Sequence, residues 1–318
     1  MNDTKKILVT GATGFIGQAL IAALSKSLDV VVVAASRSEV SVPGIMDHRD
    51  HDLLDIQRLP ELSDIDVVIH TAARVHVMDD KSTDKLASFR AANVAGTQVL
   101  AEAAVQAGVK RFIYLSSIKV NGESTEPGRP FTAFDPPNPR DPYGISKWEA
   151  ELVLREIETR TGMEVVIIRP PLVYGPAVKA NFRGMMKWLY RGVPLPLGAI
   201  NNRRSLVALG NLVDLLVLCT RHPNAAGETF LVSDGEDIST TQLLQRLGHA
   251  LGSRSILMPV PAPLLMMAAS ALNRRAVAQR LCGWLQVDIA HNRETLGWMP
   301  PMTVEEGFQV AAHSFKAE

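Results

Sequence analysis

Two cysteines in 318 residues, Cys219 and Cys282, with no Cys-x-x-Cys spacing, leave no material for a disulfide framework or a zinc cage. Net charge is missing as well. The 33 Lys and Arg balance the 33 Asp and Glu, so no overall field draws the chain to nucleic acid or to a membrane, and an anionic ligand must be met by local arginines. No apolar run reaches the roughly 18 residues that span a bilayer. The nearest approach, Ala262 to Leu272, contains Pro263 and stops at Asn273-Arg274-Arg275. The opening Met-Asn-Asp-Thr-Lys-Lys has no apolar leader. These absences point to a cytoplasmic, soluble chain without a metal site, long enough for one large domain or two fused ones.

What is present begins at once. Ile7-Leu8-Val9-Thr10 runs into Gly11-Ala12-Thr13-Gly14-Phe15-Ile16-Gly17, and the apolar pattern restarts at Gln18. This reads as strand, tight turn and helix, with glycines that let the backbone approach a pyrophosphate and a helix N-terminus that offers it free N–H groups. The spacing is Gly-x-x-Gly-x-x-Gly rather than the commoner Gly-x-Gly-x-x-Gly, so the motif needs support from the rest of the chain. Continuous apolar runs at Lys6–Thr10, Val30–Ala34, Val67–His70, Phe112–Ser116, Val165–Arg169 and Thr229–Val232 fit strands covered on both faces. Helical patterns at Ile16–Ser27, Ser82–Ala107 and Lys147–Thr161 lie between them, which predicts a doubly wound parallel α/β Rossmann sheet. Past Arg169 proline and glycine become frequent and strand runs sparse. Residues 1–171, rejoined by about 206–232, therefore form the expected dinucleotide-binding domain, and 172–205 with 233–318 a smaller, helix-rich substrate region.

An acid at the end of the second strand would hold an adenosine ribose and mark NAD(H). This strand ends in Ala34-Ala35-Ser36-Arg37 instead. A hydroxyl and a guanidinium suit a 2′-phosphate, so the sequence favours NADP(H), with NAD(H) the alternative if Arg37 is a solvated loop residue. Asp52 and Leu53 are positioned either beside the adenine or in a surface turn. Ala72-Ala73-Arg74, after the next long strand, presents small side chains where backbone must pass a cofactor closely.

The chemistry is carried by Ser116-Ser117 at a strand end and by Tyr143-Gly-Ile-Ser-Lys147 opening a helix. Tyr143 and Lys147 are four apart and share a helical face. A free phenol with a pKa of about 10 is a poor acid/base near neutrality; an ammonium and an oxidised nicotinamide nearby would both favour phenolate. Ser117 would then hydrogen-bond a substrate oxygen that alternates between hydroxyl and carbonyl.

With these residues in view, the chain resembles the extended short-chain dehydrogenase/reductase family, in its nucleotide-sugar epimerase, dehydratase and reductase branch. The resemblance runs nearly end to end: Gly11 to Gly17, His70-Thr-Ala-Ala, Asn93-Val-Ala-Gly-Thr, Ser116-Ser117, Tyr143-x-x-x-Lys147, Arg169-Pro170-Pro171-Leu-Val-Tyr-Gly-Pro176, and Leu296-Gly-Trp298-Met-Pro300. It implies that Ser117, Tyr143 and Lys147 are catalytic, and that Lys147 also binds the nicotinamide ribose. Pro170 joins the cofactor residues on the same ground, while Asn93, placed with them, more naturally braces the strands beneath. It also implies a homodimer built on two helices per subunit.

The same resemblance supplies a substrate side. Arg204 falls where sugar-nucleotide epimerases clamp a pyrophosphate, with Arg280 a second candidate. Asn181-Phe182 match an Asn–apolar pair set against the nucleotide, and Leu195 and Leu197 flank the segment that packs along uracil. Phe182 as a core residue and Arg204 as a loop charge are the plain alternatives. Together they favour a UDP-linked hexose or N-acetylhexosamine. Two departures are visible. Leu172 stands where the branch often has Asn, and Ile118-Lys119 stand where dehydratases carry Asp-Glu, so 4,6-dehydration lacks its acid and base. Reduction at C4 of a UDP-4-keto-6-deoxy-N-acetylhexosamine by NADPH, for surface polysaccharide, is slightly favoured through Ser36-Arg37. NAD-dependent 4-epimerisation of UDP-glucose or UDP-N-acetylglucosamine uses the same residues. A non-catalytic dinucleotide-binding sensor would have no use for Ser117, Tyr143 and Lys147 together.

Overall fold

A computed structural model describes residues 4–39, 45–75 and 84–317, without the side chains of 180, 181 and 276. Its first half is β1 (Lys5–Thr10), α1 (Phe15–Leu24), β2 (Val30–Ser36), β3 (Asp47–Asp50), β4 (Val67–His70), α2 (Lys85–Arg90), α3 (Gly96–Gln106), β5 (Arg111–Leu115), α4 (Pro142–Thr161) and β6 (Glu164–Arg169). The second half is β7 (Leu172–Tyr174), α5 (Ala180–Tyr190), β8 (Arg204–Ala208), α6 (Leu209–Cys219), β9 (Thr229–Leu231), β10 (Asp237–Ile238), α7 (Thr240–Ala250), α8 (Ala262–Ala271), α9 (Arg275–Cys282), α10 (Ala290–Leu296) and α11 (Val304–Ala317). Seven strands form one parallel sheet in the order β3-β2-β1-β4-β5-β6-β9. The order reverses between β1 and β4, which puts a ligand crevice beyond their carboxyl ends.

Alternation along the strands divides the core. Ile7, Val9 and Val32 face α1 and α6 with Leu20, Ile21, Leu212 and Leu216. Leu8, Val33, Val68, Phe112 and Tyr114 face α3 and α4 with Leu100, Leu154 and Ile157. Because both faces are covered, the strands carry continuous apolar runs, and every side chain of β4 and β5 is buried.

The structure differs from the sequence reading in several elements, among them α4, which begins at Pro142 rather than Lys147. The first helix ends at Leu24 rather than Ser27, where Ser25 caps it. The stretch read as one helix over 82–107 begins outside the described residues and is then interrupted by a π-turn at Ala91–Ala95. β3, the sequence Asp-His-Arg-Asp, has no apolar pattern at all and exists through backbone pairing with β2. The region after Arg169 also holds a second sheet, β10-β8-β7. Its strands are two to five residues long, and none carries an unbroken apolar run of four or more residues like those of the larger sheet. That sheet packs with α5, α7 and α11 around Tyr174, Phe182, Leu244 and Phe308. Among the described residues no helix is long and apolar enough to cross a membrane.

Candidate active site

The turn after β1 is shaped for close backbone approach. Gly11 has φ +67°, and a Cβ there would lie 2.7 Å from the Ala72 amide nitrogen. A Cβ on Gly17 would strike the Gly11 carbonyl oxygen. Only glycine permits this coil, which leaves Thr13 and Gly14 exposed at the mouth of α1 with Phe15 and Ile16 half-buried behind them. The N-terminus of α1 has no side-chain cap, so its N–H groups stay available to an anion, and a dinucleotide pyrophosphate fits the cradle.

A buried polar chain joins this turn to the other motifs. The imidazole of His70, at the end of β4, lies 2.7 Å from the Thr10 hydroxyl through Nδ1 and 3.1 Å from that of Thr97 through Nε2. Its ring centroid is 5.8 Å from that of Tyr114 on β5. Burial holds the His70 pKa well below its ordinary value, and the Lys147 charge adds to this. Lys147 in turn sits 4.4 Å above the Tyr114 ring and donates to the Leu115 carbonyl at 2.8 Å. Burial pulls its ammonium down to about 7, opposed by the Glu151 carboxylate one turn further along α4. The opening turn and the Tyr143–Lys147 helix therefore meet across the sheet.

Tyr143 is half-buried, edge-on to Phe89 at 5.9 Å between ring centroids. Burial, then the nearby Asp141 carboxylate, push its phenol above the ordinary range, and a hydrogen bond with Ser117 pulls it back. Ser117 is extended and caps the short turn Ile118–Val120, its Oγ accepting from the Lys119 N–H at 3.3 Å. Asp141 caps α4, accepting from the Gly144 N–H at 2.7 Å, and forms an ion pair with Lys119. Lys119 thus locks the start of the Tyr143 helix. Asn93, on the π-turn, accepts from the Arg74 N–H at 2.8 Å and donates to the Arg74 carbonyl and to Ser146 Oγ, each at 3.0 Å. It ties the loop Ala72-Ala73-Arg74 to α4.

The remaining predicted residues fall in different settings. Ser36 is buried, donating to the Ser38 carbonyl at 2.7 Å with His48 Nε2 at 3.1 Å. Its hydroxyl is engaged within the protein, whereas Arg37 beside it is exposed. Asp52 accepts from the Leu54 N–H, and Leu53 lies against Gly96 at the start of α3. The carbonyl of buried Pro170 accepts from the Ile118 N–H at 2.9 Å. Phe182 is only 3% exposed and stacks on Tyr174 at 5.5 Å, so it is part of the core of the smaller region. Leu195 is also buried, with Leu197 packed against the same core. The Arg204 guanidinium donates to the Arg280 carbonyl at 2.8 Å and the Gly283 carbonyl at 3.1 Å, and Arg280 itself is exposed. The Asn181 side chain lies outside the described residues.

Sequence reasoning missed the group that supports this site. Glu151 accepts from Arg169 Nε at 3.0 Å and Nη2 at 2.5 Å, and from the hydroxyl of Ser116. Arg169 Nη1 donates to Asn121 Oδ1 at 3.0 Å. Ser116, Glu151 and Arg169 are all essentially buried. The available signal was the position of Glu151 four residues after Lys147, on the same helical face.

Residues 7–233 match the NAD dependent epimerase/dehydratase family. The chain is 47% identical over 321 residues to a UDP-glucose 4-epimerase of Vibrio cholerae, covering 98% of this chain and 95% of that protein. It is 28% identical to the N-acetyl-alpha-D-glucosaminyl-diphospho-ditrans,octacis-undecaprenol 4-epimerase of Escherichia coli O157:H7, covering 96% and 93%. The solved structure of UDP-N-acetylglucosamine 4-epimerase from Bacillus cereus shares the fold with a TM-score of 0.79 at 21% identity, covering 98% of this chain and 99% of that one.

Proposed function

The chain belongs to the NAD dependent epimerase/dehydratase family, and from that premise we propose that it is a UDP-hexose 4-epimerase. It is an enzyme of the extended short-chain dehydrogenase/reductase type that works on C4 of nucleotide sugars. The observation that carries epimerisation over reduction is the extensive identity with the Vibrio cholerae protein. The internal engagement of the Ser36 hydroxyl supports it, because that hydroxyl was half of the argument for NADPH. NAD(H) therefore replaces NADP(H) as the preferred cofactor.

In this reading the Gly11–Gly17 turn, with Thr13, Phe15 and Ile16, holds the dinucleotide pyrophosphate. Ser36, Arg37, Asp52 and Leu53 border its adenosine half, and the Ala72-Ala73-Arg74 loop braced by Asn93 lies along it. Lys147 and Pro170 border the nicotinamide half. The bound cofactor supplies a centre that accepts and returns a hydride. Tyr143 takes the proton from the sugar 4-hydroxyl and gives it back, while Ser117 holds that oxygen. Protonated Lys147 biases the phenol toward phenolate, a role that burial opposes and Glu151 favours. Arg204 and Arg280 meet the UDP diphosphate; Asn181 and Leu197 border the nucleotide, with Phe182 and Leu195 as the wall behind. With Ile118 and Lys119 at the two dehydratase positions, the Asp-Glu pair that elimination would use is missing from the sequence there, and Lys119 is held by Asp141.

The division at residue 171, with 206–232 returning to the dinucleotide half, places the sugar between the two regions. A homodimer in the cytoplasm, joined through α2–α3 and α4 where Leu152 is exposed, completes the reading. The test is incubation of purified protein with UDP-glucose and with UDP-N-acetylglucosamine, with and without NADPH. The C4 epimer forming without added NADPH is the expected outcome. NADPH consumption confined to a 4-keto-6-deoxy sugar nucleotide would restore the reductase.

A further inference from the structure

Between Asp237 and Asp288 the chain has no Asp or Glu, yet it carries five arginines: Arg246, Arg254, Arg274, Arg275 and Arg280. In a protein whose charges balance overall, this is a strongly one-sided segment. Arg246 is paired with Glu236; the other four are exposed and have no ion pair among the described residues.

The same segment holds α8, which has no buried residue and no charged one. Leu264, Met267, Ala268 and Ala271 are all exposed. Their i, i+3, i+4, i+7 spacing lines one face, so this helix turns an apolar stripe outward, the reverse of an ordinary surface helix. Met267 is 69% exposed, and Leu272 at the helix end 72%. Val277 on α9, and Ile256 and Met258 just before α8, are exposed as well. Arg274 and Arg275 stand directly behind the helix. The segment is anchored next to the substrate side. Residues 195–199 pair with 257–261, with the Gly198 N–H donating to the Met258 carbonyl at 2.9 Å, and the end of α9 accepts from Arg204.

We propose that α8 and α9 dock the protein on an anionic lipid surface, with Leu264, Met267 and Leu272 entering the headgroup boundary and Arg254, Arg274 and Arg275 meeting lipid phosphates. An apolar helical face bordered by cations is the composition that lies in such an interface. A second copy of the chain is a poorer occupant, because a two-fold contact through this acid-free segment would set arginines against arginines. The docked face carries the diphosphate-binding end of the substrate region with it, so turnover would take place at the membrane surface while soluble substrate retained free access.

Vesicle flotation with the full chain tests this, using phosphatidylcholine alone and phosphatidylcholine with one-third phosphatidylglycerol. Wild type is expected to float with the phosphatidylglycerol vesicles, to stay behind with phosphatidylcholine, and to be released by added salt. Both Leu264→Glu/Met267→Glu and Arg274→Glu/Arg275→Glu should lower binding about tenfold or more, with unchanged circular dichroism and unchanged turnover of soluble substrate. Absence of wild-type binding at low salt, or equal binding to both vesicle types, overturns the proposal. So does a fall in oligomeric mass, by light scattering, of Leu264→Glu/Met267→Glu, which would assign the face to a second copy.

Discussion

Replacing Glu151 by Ala is the sharpest probe of how the site is held. Glu151 and Arg169 expose 1% and 5% of their side chains and share two hydrogen bonds. The substitution leaves the buried guanidinium with its hydrogen bond to Asn121 and its stacking over Trp148 but without its counter-charge, and strands the Ser116 hydroxyl that Glu151 accepts from. Removing one partner of a buried pair typically costs about 3–5 kcal/mol, because the other charge stays desolvated. Replacing both by apolar residues of similar volume is far milder, so Glu151→Leu/Arg169→Met should recover most of that loss. Equilibrium urea unfolding of wild type, Glu151→Ala, Glu151→Leu, Arg169→Met and the Glu151→Leu/Arg169→Met double variant measures the loss and the coupling. A loss under about 1 kcal/mol for Glu151→Ala, or a double variant no more stable than it, would refute the argument. Glu151 also raises the Lys147 pKa, so Glu151→Gln should shift the high-pH limb of activity to lower pH.

Gly17→Ala places a methyl group against the Gly11 carbonyl; overpacking of this kind costs about 1–3 kcal/mol and should weaken cofactor binding, read by fluorescence titration. The buried bases set the pH dependence of stability. His70 has a depressed pKa when folded, so the unfolded ring takes up a proton that the folded one does not. Stability should therefore fall as pH drops below about 6.5, by up to about 1.4 kcal/mol per pH unit for that one proton. Lys147 loses its proton at about 7 when folded but near 10.4 when unfolded, so it makes stability rise from pH 7 toward 10. Lys147→Met should flatten that rise and melt no lower than wild type at pH 7, while turnover falls about 10²–10⁴-fold; a lower melting temperature would contradict it.

The sheet was legible because strands covered on both faces read as unbroken apolar runs, and the opening turn because glycines at 11, 14 and 17 allow few alternatives. Tyr143 and Lys147 stood out by their spacing and Ser117 by its place in the family resemblance; Lys147 lies over Tyr114, which stacks on His70, and Tyr143 hydrogen-bonds with Ser117. Tertiary context hid the rest. Asp47–Asp50 is a strand only because β2 offers an edge. Leu172–Tyr174 and Asp237–Ile238 are too short to show a period, and Arg204–Ala208 opens on Arg-Ser, so no unbroken apolar run marks it. Phe182 was legible only as either a nucleotide contact or a core residue; it packs in the core over Tyr174. Ser36 looked ready for a phosphate, and is taken by Ser38 and His48.

The most direct test of the account follows UDP-glucose by NMR with purified wild type and Tyr143→Phe, with no nicotinamide cofactor added beyond what copurifies. It predicts the C4 epimer from wild type, and a rate lower by about 10²–10⁴ for the variant through loss of the acid/base group. Equal rates for the two proteins, or no epimer from the wild-type enzyme, would contradict it.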